Sequence, residues 1–175
     1  MGKLSSYTAT APKQVLTWDI TYLPAAVRGQ YYYLYLIEDI YSRKIEGYEV
    51  FNDEELGVTP SYSRPRVSDD NPYVKSLFRT LKYVPSWPSK GFASLEDSRA
   101  WIDRFVEWYN NEHKHRGLNY VTPSERHAGK DSEILQKRAA VLEVNRVQTP
   151  ERWSGEIRNC KPVGDVHLNP EKEVA

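Results

Sequence analysis

The chain has 175 residues, of which 39% are hydrophobic and 13% are aromatic, and this composition is sufficient for one globular domain with an appendage. Basic and acidic residues are equal at 24 each, so overall charge neither identifies nor excludes a nucleic-acid-binding protein. The single cysteine, Cys160, excludes an internal disulfide and offers no cysteine-based metal site. No apolar run approaches the ~20 residues of a membrane span, and the N-terminus has no signal-peptide core. We therefore expect a cytoplasmic protein without a membrane partner.

Three antiparallel strands are predicted near the N-terminus. Residues 1–11 are small and polar and are expected to form a disordered lead-in. The stretch "QVLTWDITYL" alternates apolar and polar positions, which is typical of a strand, and Asp19 lies in its middle. The next β-prone stretch is interrupted by the polar "EDIYSRK", so residues 31–37 are predicted to pair with 44–51 as a hairpin.

The next predicted element is a helix in "SDDNPYVKSLFRTLKY". Asp70 or Asn71 suits the N-cap, Pro72 suits the first helical position, and the helix is predicted to end near Tyr83. The brief "GVTPSYS" before it could form one further strand.

Two further helices are predicted in the C-terminal half. One begins at Ser94 with the acidic start "SLED" and buries a broad apolar face. The other covers residues 131–144, and a weakly ordered tail is expected beyond Gln148. The predicted organisation is the lead-in, a core domain at 12–128, and a C-terminal helix with its tail at 129–175.

Asp19 is the first candidate site residue, because a carboxylate in an apolar, aromatic strand must be paired, solvated or bound to a metal. A structural aspartate at a strand edge is the alternative to a metal ligand. Divalent ions used in phosphoryl chemistry need two or three oxygen ligands from separate elements. The other carboxylates considered are expected to be solvated in turns or loops: Asp39, Asp53, Glu54, Glu55, Asp69 and Asp70.

Basic residues form two candidate phosphate-binding groups. Lys75, Arg79 and Lys82 share one face of the helix that begins at Pro72, and this face suits either DNA phosphates or solvent. The cluster "HKHR" contains Lys114, His115 and Arg116, which could contact phosphate or stabilise a helix C-terminus. His113 and His115 are two residues apart, a poor helical spacing for a shared metal.

Residues 12–128 resemble the catalytic core of bacterial insertion-sequence transposases with a retroviral-integrase-like domain. The resemblance is carried, in order, by "VLTWDITYLP", "YYYLYLIEDIYSRKIEGYEV", "LGVTPSYSRPRVSDDNPYVKSLFRTLKY" and "WIDRFVEWYNNEHKHRGLNYVTPSERH". It implies a ribonuclease H-like α/β fold, with a mixed sheet that begins with three antiparallel strands and is flanked by helices. It also implies joining of DNA ends to target DNA by two divalent ions, normally Mg²⁺, held by an Asp, Asp, Glu triad.

The resemblance places one triad residue and leaves two without a match. Asp19 corresponds to the first aspartate. The strand that carries the second aspartate, together with the adjacent helices, has no counterpart between "EVFND" and "LGVTPS", so the fold is expected to be incomplete. The glutamate of an "NPYxES"-like helix start is replaced by Lys75. A cation there opposes metal binding, so Mg²⁺ is not expected to bind productively.

The resulting hypothesis is an internally deleted transposase remnant, inactive in strand transfer, with weak DNA binding through Arg79, Lys82, Lys114, His115 and Arg116. One alternative is an active enzyme that uses substitute ligands or a full-length partner in a mixed oligomer. The other is a non-enzymatic regulator that competes with intact transposase for DNA or for subunit contacts.

Overall fold

The computed structural model describes residues 6–52 and 72–169. The strands are β1 (Tyr7–Ala9), β2 (Leu16–Pro24), β3 (Tyr31–Asp39), β4 (Ile45–Phe51) and β5 (Val166–Leu168). The α-helices are α1 (Pro72–Tyr83), α2 (Leu95–Asn111), α3 (Pro123–His127) and α4 (Asp131–Gln148). Short 3₁₀ helices form at Arg116–Leu118 and Pro150–Arg152.

The three predicted strands form an antiparallel sheet in the order β2-β3-β4. The register pairs Asp19 with Leu36 and Tyr35 with Glu49. A bulge between Ile37 and Glu38 shifts the pairing of β3 with β4 at the end of the sheet that leads into the turn. This arrangement confirms the predicted mixed α/β class with three antiparallel strands first and helices flanking them.

One face of the sheet carries the hydrophobic core. Alternate residues of β3, including Leu34 and Leu36, are buried under α1 and α2. The helices contribute Val74, Leu77, Phe78 and Leu81 from α1 and Trp101, Ile102, Phe105 and Tyr109 from α2. The spacings of three and four residues within each set place them on one side of their helix, which explains why both helices pack on the sheet.

The opposite face of the sheet is rich in exposed apolar side chains. In β2 the polar Thr17 and Thr21 are buried, whereas Trp18 is 65% exposed. The exposed large apolar residues of this outer face, from β2 and β3, are Leu16, Trp18, Tyr22, Tyr31 and Ile37. The aromatic side of β2 therefore lies away from the helices that cover the core.

The helix starts follow the chemistry predicted for them. Pro72 begins α1, where its missing N–H is not needed. The Ser94 side chain caps α2 by accepting a hydrogen bond from the backbone N–H of Asp97 at 3.1 Å. The last helix, α4, continues to Gln148, four residues beyond its predicted end.

The N-terminal and C-terminal segments differ from the sequence-based expectation. Within the described residues, β1 and β5 form a two-stranded antiparallel sheet that pairs Tyr7 with Leu168. Ala9, Ile40, Val166 and Leu168 make a small separate core beneath it. No local pattern signalled this pairing, because each strand has three residues and its partner lies at the other end of the chain.

No helix in the described ranges is long and apolar enough to cross a membrane.

Candidate functional site

Asp19 lies in the middle of β2, which is an edge strand of the three-stranded sheet as described. Its side chain is half-buried, and it shares the helix-covered face with the buried Thr17 and Thr21. The carboxylate Oδ1 accepts a hydrogen bond from the backbone N–H of Ile20 at 2.8 Å. This geometry agrees with either of the roles that the sequence left open, because the other oxygen is available for a ligand.

The expectation for Asp39 was wrong. Asp39 is fully buried at the end of β3 instead of being solvated in a turn. Its Oδ2 accepts hydrogen bonds from both the backbone N–H and the hydroxyl of Ser42, and its Oδ1 accepts from the N–H of Lys13. These bonds fix the β3–β4 turn, so Asp39 has a structural role. The other carboxylates considered lie outside the described residues: Asp53, Glu54, Glu55, Asp69 and Asp70.

The described residues do not fit a pair of divalent ions. A Mg²⁺ ion needs carboxylate oxygens brought together in near-octahedral geometry. Within 6–52 and 72–169, no group of three His, Cys, Asp or Glu side chains could hold a metal. Lys75 occupies the first turn of α1, where it is exposed. Of the two triad positions that can be located in the described residues, Asp19 has a carboxylate and Lys75 does not.

The basic residues of α1 lie along one exposed strip. Lys75, Arg79 and Lys82 are all exposed, and their spacings of four and three residues align them. Their position agrees with the predicted face. The structure does not place Arg79 or Lys82 on the cavity that contains the second basic group.

The second basic group borders a cavity of about 650 Å³ between α1 and the turn after α2. Lys114, His115 and Arg116 all line it, as do Ser76 and Thr80 from α1. The sequence grouped the first three as a candidate phosphate contact, and the structure brings them together at one cavity.

Two members of this group have other partners. Lys114 Nζ forms an ion pair with Glu125 at 3.0 Å. His115 Nδ1 accepts a hydrogen bond from the N–H of Gly117 at 3.1 Å, and burial lowers the pKa of His115 to about 4. Burial also lowers the pKa of His113. Both imidazoles are consequently neutral at pH 7, so the positive charge at the cavity comes from arginine and lysine side chains.

Two further residues at the cavity were not identified from the sequence. Glu38 is 1% exposed, its Oε2 has no hydrogen-bond partner in the described part of the chain, and burial raises its pKa to about 8. Arg43 also lines the cavity, and its buried Nε and Nη1 have no hydrogen-bond partner there. Both residues belong to the polar stretch "EDIYSRK", which the sequence predicts to be a turn. Local sequence carried no signal of their burial.

Arg43 is held in place by its backbone and by an aromatic ring. Its φ is 63°, a left-handed conformation that is uncommon for a residue with a side chain. Its N–H donates to the carbonyl of Asp39 at 2.8 Å. The guanidinium lies 3.7 Å from the ring centroid of Tyr73, a cation–π contact with α1. The guanidinium is therefore fixed at the cavity wall.

Comparison with known proteins gives a family match to part of the chain. Comparison with curated proteins and with solved structures gives no match. Residues 56–123 match the family model of the integrase core domain. This span is less than half of the chain and includes α1, α2 and the turn with Lys114, His115 and Arg116, which we call the basic turn. With the three-stranded antiparallel sheet and its flanking helices, this match supports an integrase-like or transposase-like chain with an incomplete ribonuclease H-like fold.

Proposed function

We propose that this chain is an integrase-core, transposase-like protein of DNA integration that is inactive in strand transfer and binds nucleic acid weakly. The single observation that carries the proposal is the match of residues 56–123 to the integrase core domain. Integrase-core proteins are typically metal-dependent, and the described residues of this chain offer Asp19 without a cluster of three ligands. The chain is therefore proposed to resemble integrase-core proteins in sequence and fold without sharing their catalytic activity.

Electrostatics support the inactive state. In the resembled arrangement, the first turn of the helix that packs on the Asp19 strand carries a glutamate that binds metal. Here that turn carries Lys75, and α1 packs against β2 and β3. A lysine at the position where the family has a metal-binding glutamate disfavours a divalent cation there. Loop carboxylates would have to replace two ligands that normally come from regular elements.

Weak DNA binding is supported by the distribution of basic residues. Arg79 and Lys82 are exposed on α1, and Arg116 is exposed beside the cavity. Such side chains neutralise backbone phosphates without reading sequence, so the expected binding is non-specific and falls steeply with salt. The equal numbers of acidic and basic residues in the whole chain limit its strength.

The catalytic part of the proposal is tested by nicking and strand-transfer assays with Mg²⁺ and with Mn²⁺ on DNA carrying element ends. An intact transposase of the family is the positive control. We expect no product from this chain, and no product from Lys75→Glu, because restoring one ligand leaves the second absent. Product that disappears in Asp19→Ala would establish an active enzyme instead.

The DNA-binding part is tested by fluorescence anisotropy with a labelled duplex over a range of salt concentrations. Each phosphate contact removed lowers the slope of log affinity against log salt by about 1. We expect Arg79→Ala with Lys82→Ala to lower that slope by about 2. The control is Lys137→Ala, because Lys137 is exposed on α4 and paired with Glu133.

The outer face of the sheet favours a second function, a non-enzymatic regulator that assembles with an intact transposase. Leu16, Tyr31 and Ile37 are exposed there, and apolar side chains grouped on one face are typical of interaction sites. Co-purification with an intact transposase and inhibition of its strand transfer would support this function. Substitution of Ile37 by Lys should abolish both effects, and unchanged inhibition would exclude this surface.

A further inference from the structure

We propose that the cavity between Glu38, Arg43 and the turn after α2 is a binding site for a phosphate group. The cavity lies beside the basic turn but is separate from the Arg79 and Lys82 strip, and the inference holds whether or not the chain binds DNA. It starts from three buried atoms that have no hydrogen-bond partner in the described residues, namely Glu38 Oε2, Arg43 Nε and Arg43 Nη1.

The unpartnered atoms are unusual because glutamate and arginine side chains are rarely buried without a hydrogen-bond partner. Buried polar atoms are almost always hydrogen-bonded, and an unsatisfied one in a native fold needs an explanation. Glu38 and Arg43 do not satisfy each other, because among the described residues no ion pair joins them within 4.0 Å. Both residues line the same cavity, so a ligand bound there would give the two side chains polar partners.

The chemistry of the walls selects an oxyanion. An arginine guanidinium presents a rigid fork of N–H donors that matches phosphate oxygens. Arg116 adds a second arginine to the same cavity, and Ser76 adds a hydroxyl from α1. Glu38 is buried enough to be a neutral carboxyl at pH 7, so its O–H donates a hydrogen bond to an oxygen of the anion, and the carboxyl does not repel the anion. The cavity is therefore net positive and lined with donors.

The size of the cavity indicates a phosphate that is part of a larger molecule. A volume of about 650 Å³ exceeds what one tetrahedral anion or a few waters occupy and lies in the range of small-molecule sites. The same chemistry can come from free phosphate, from a phosphomonoester or from a backbone phosphate of a nucleic acid. The experiment separates these sources.

The fixed guanidinium shows that the site is formed before the ligand arrives. Stacking on Tyr73 at 3.7 Å and the backbone bond to Asp39 hold Arg43 at the wall. The ring of Tyr73 is itself anchored, because its hydroxyl donates to the carbonyl of His167 beside β5. A binding group that is already positioned loses little conformational entropy on ligand binding.

The central variant is Arg43→Gly, tested in the full chain. Glycine adopts a φ of 63° without strain, so this change removes the guanidinium and is not expected to unfold the turn. Lys13→Gly is the matched control, because Lys13 has a φ of 65°, carries the same charge, is exposed and does not line the cavity. The two variants have equal net charge and equal backbone relief.

Titration calorimetry with inorganic phosphate at pH 7 measures the site directly. We expect binding to the wild type and to Lys13→Gly, and an affinity lower by about 10-fold or more for Arg43→Gly. A short oligothymidylate in competition with phosphate identifies the source. Displacement of phosphate assigns the site to a backbone phosphate, whereas independent binding assigns it to a free phosphate or monoester.

A sulfate titration tests the part played by Glu38, because sulfate does not change its own protonation between pH 7 and 9. The titratable and charged groups around Glu38 are Asp39 and Arg43 at the turn and Tyr109 from α2, and the cavity also has Tyr73 from α1 and His113, Lys114, His115 and Arg116 after α2. We expect sulfate affinity to fall over this range in the wild type and to stay constant in Glu38→Gln.

Absence of phosphate binding by the wild type would overturn the proposal. Equal affinities of Arg43→Gly and the wild type would overturn it as well, because binding would then lie elsewhere on the surface.

Discussion

Arg126 and Asp131 form a buried ion pair that joins α3 to the start of α4. Arg126 Nη1 lies 2.6 Å from Asp131 Oδ2, and the Arg126 side chain is 2% exposed. The other two guanidinium nitrogens also donate, Nε to the carbonyl of Tyr41 and Nη2 to that of Gly164. The guanidinium lies 4.0 Å from the ring centroid of Tyr41. One side chain thus links the β3–β4 turn, α3, α4 and the segment before β5.

Arg126→Ala should lower the free energy of unfolding by about 3–5 kcal/mol, because it leaves the Asp131 carboxylate buried without a partner. Urea denaturation measures the change. Adding Asp131→Ala to this variant should recover part of the loss, because the uncompensated charge is then gone. Arg146→Ala is the control: its pair with Glu143 is partly exposed, so a much smaller loss of stability is expected. Equal effects of the two arginine variants would contradict the structural role of Arg126.

Asn110 forms a second link, between α2 and the edge strand β4. Its Oδ1 accepts from the N–H of Ile45 at 2.9 Å, and its Nδ2 donates to the carbonyl of the same residue at 3.0 Å. Asn110→Ala should lower the free energy of unfolding by about 2–4 kcal/mol, because two buried backbone groups lose their partners. Asn111→Ala is the matched control, since Asn111 is exposed and its Oδ1 accepts a hydrogen bond from the Ser124 hydroxyl, not from a buried backbone group. A loss of similar size in both variants would contradict this role for Asn110.

The sequence predicted the helices and strands whose apolar residues recur at a regular spacing or whose first residues are typical of a helix start. The bounds of α1 follow from Pro72 and from four apolar residues at helical spacing, and both agree with the structure. The strand at Asp19 follows from alternation. Alternation cannot show which side of β2 faces the helices, because both sides carry residues that tolerate burial. The structure buries Thr17 and exposes Trp18.

The features that the sequence did not predict depend on contacts between residues far apart in the chain. The β1–β5 sheet joins residues 159 positions apart, as in the Thr8 to His167 hydrogen bond, and its strands are too short for a periodic signal. The burial of Glu38 depends on the bulge in β3 and on the helices that cover that face. The basic turn was identified from its charges, whereas its cavity partners are defined by tertiary packing alone.

Gly91 is required where the chain crosses Pro24 and Ala25. Its φ is 80°, and a Cβ there would overlap the carbonyl of Ala25 and lie 2.8 Å from the Pro24 oxygen. Phe92 N–H donates to that Pro24 oxygen at 2.9 Å, so a shift would break this bond. Gly91→Ala should lower the free energy of unfolding by more than about 2 kcal/mol, through overlap and backbone strain together.

Two other glycines separate these contributions. Gly129 has a φ of 69° in open space, so Gly129→Ala tests backbone strain without overlap and should lose about 1 kcal/mol. Gly155 has open space and no positive φ, so Gly155→Ala should change stability by less than about 0.5 kcal/mol. Thermal denaturation of the three variants should give this order. A loss for Gly155→Ala as large as that for Gly91→Ala would contradict the assignment.

Glu38 and His115, which both line the cavity, should make the free energy of unfolding depend on pH in opposite directions. Burial raises the pKa of Glu38 from 4.5 to about 8, so the folded chain holds a proton that the unfolded chain loses, and stability falls as pH rises between these values. Burial lowers the pKa of His115 from 6.5 to about 4, so stability falls as pH drops between those values. His113 acts in the same direction as His115.

The wild-type stability should therefore not fall between pH 4.5 and 6.5, where His113 and His115 oppose Glu38, and should fall from pH 6.5 to 8, where Glu38 acts alone. The slope in the second interval reaches at most about 1.4 kcal/mol per pH unit. Glu38→Gln cannot titrate, so its stability should stay level above pH 6.5 and rise between pH 4 and 6.5. Chemical denaturation at a series of pH values measures both curves. A Glu38→Gln curve that still falls between pH 6.5 and 8 as steeply as the wild type would show that another group causes the fall.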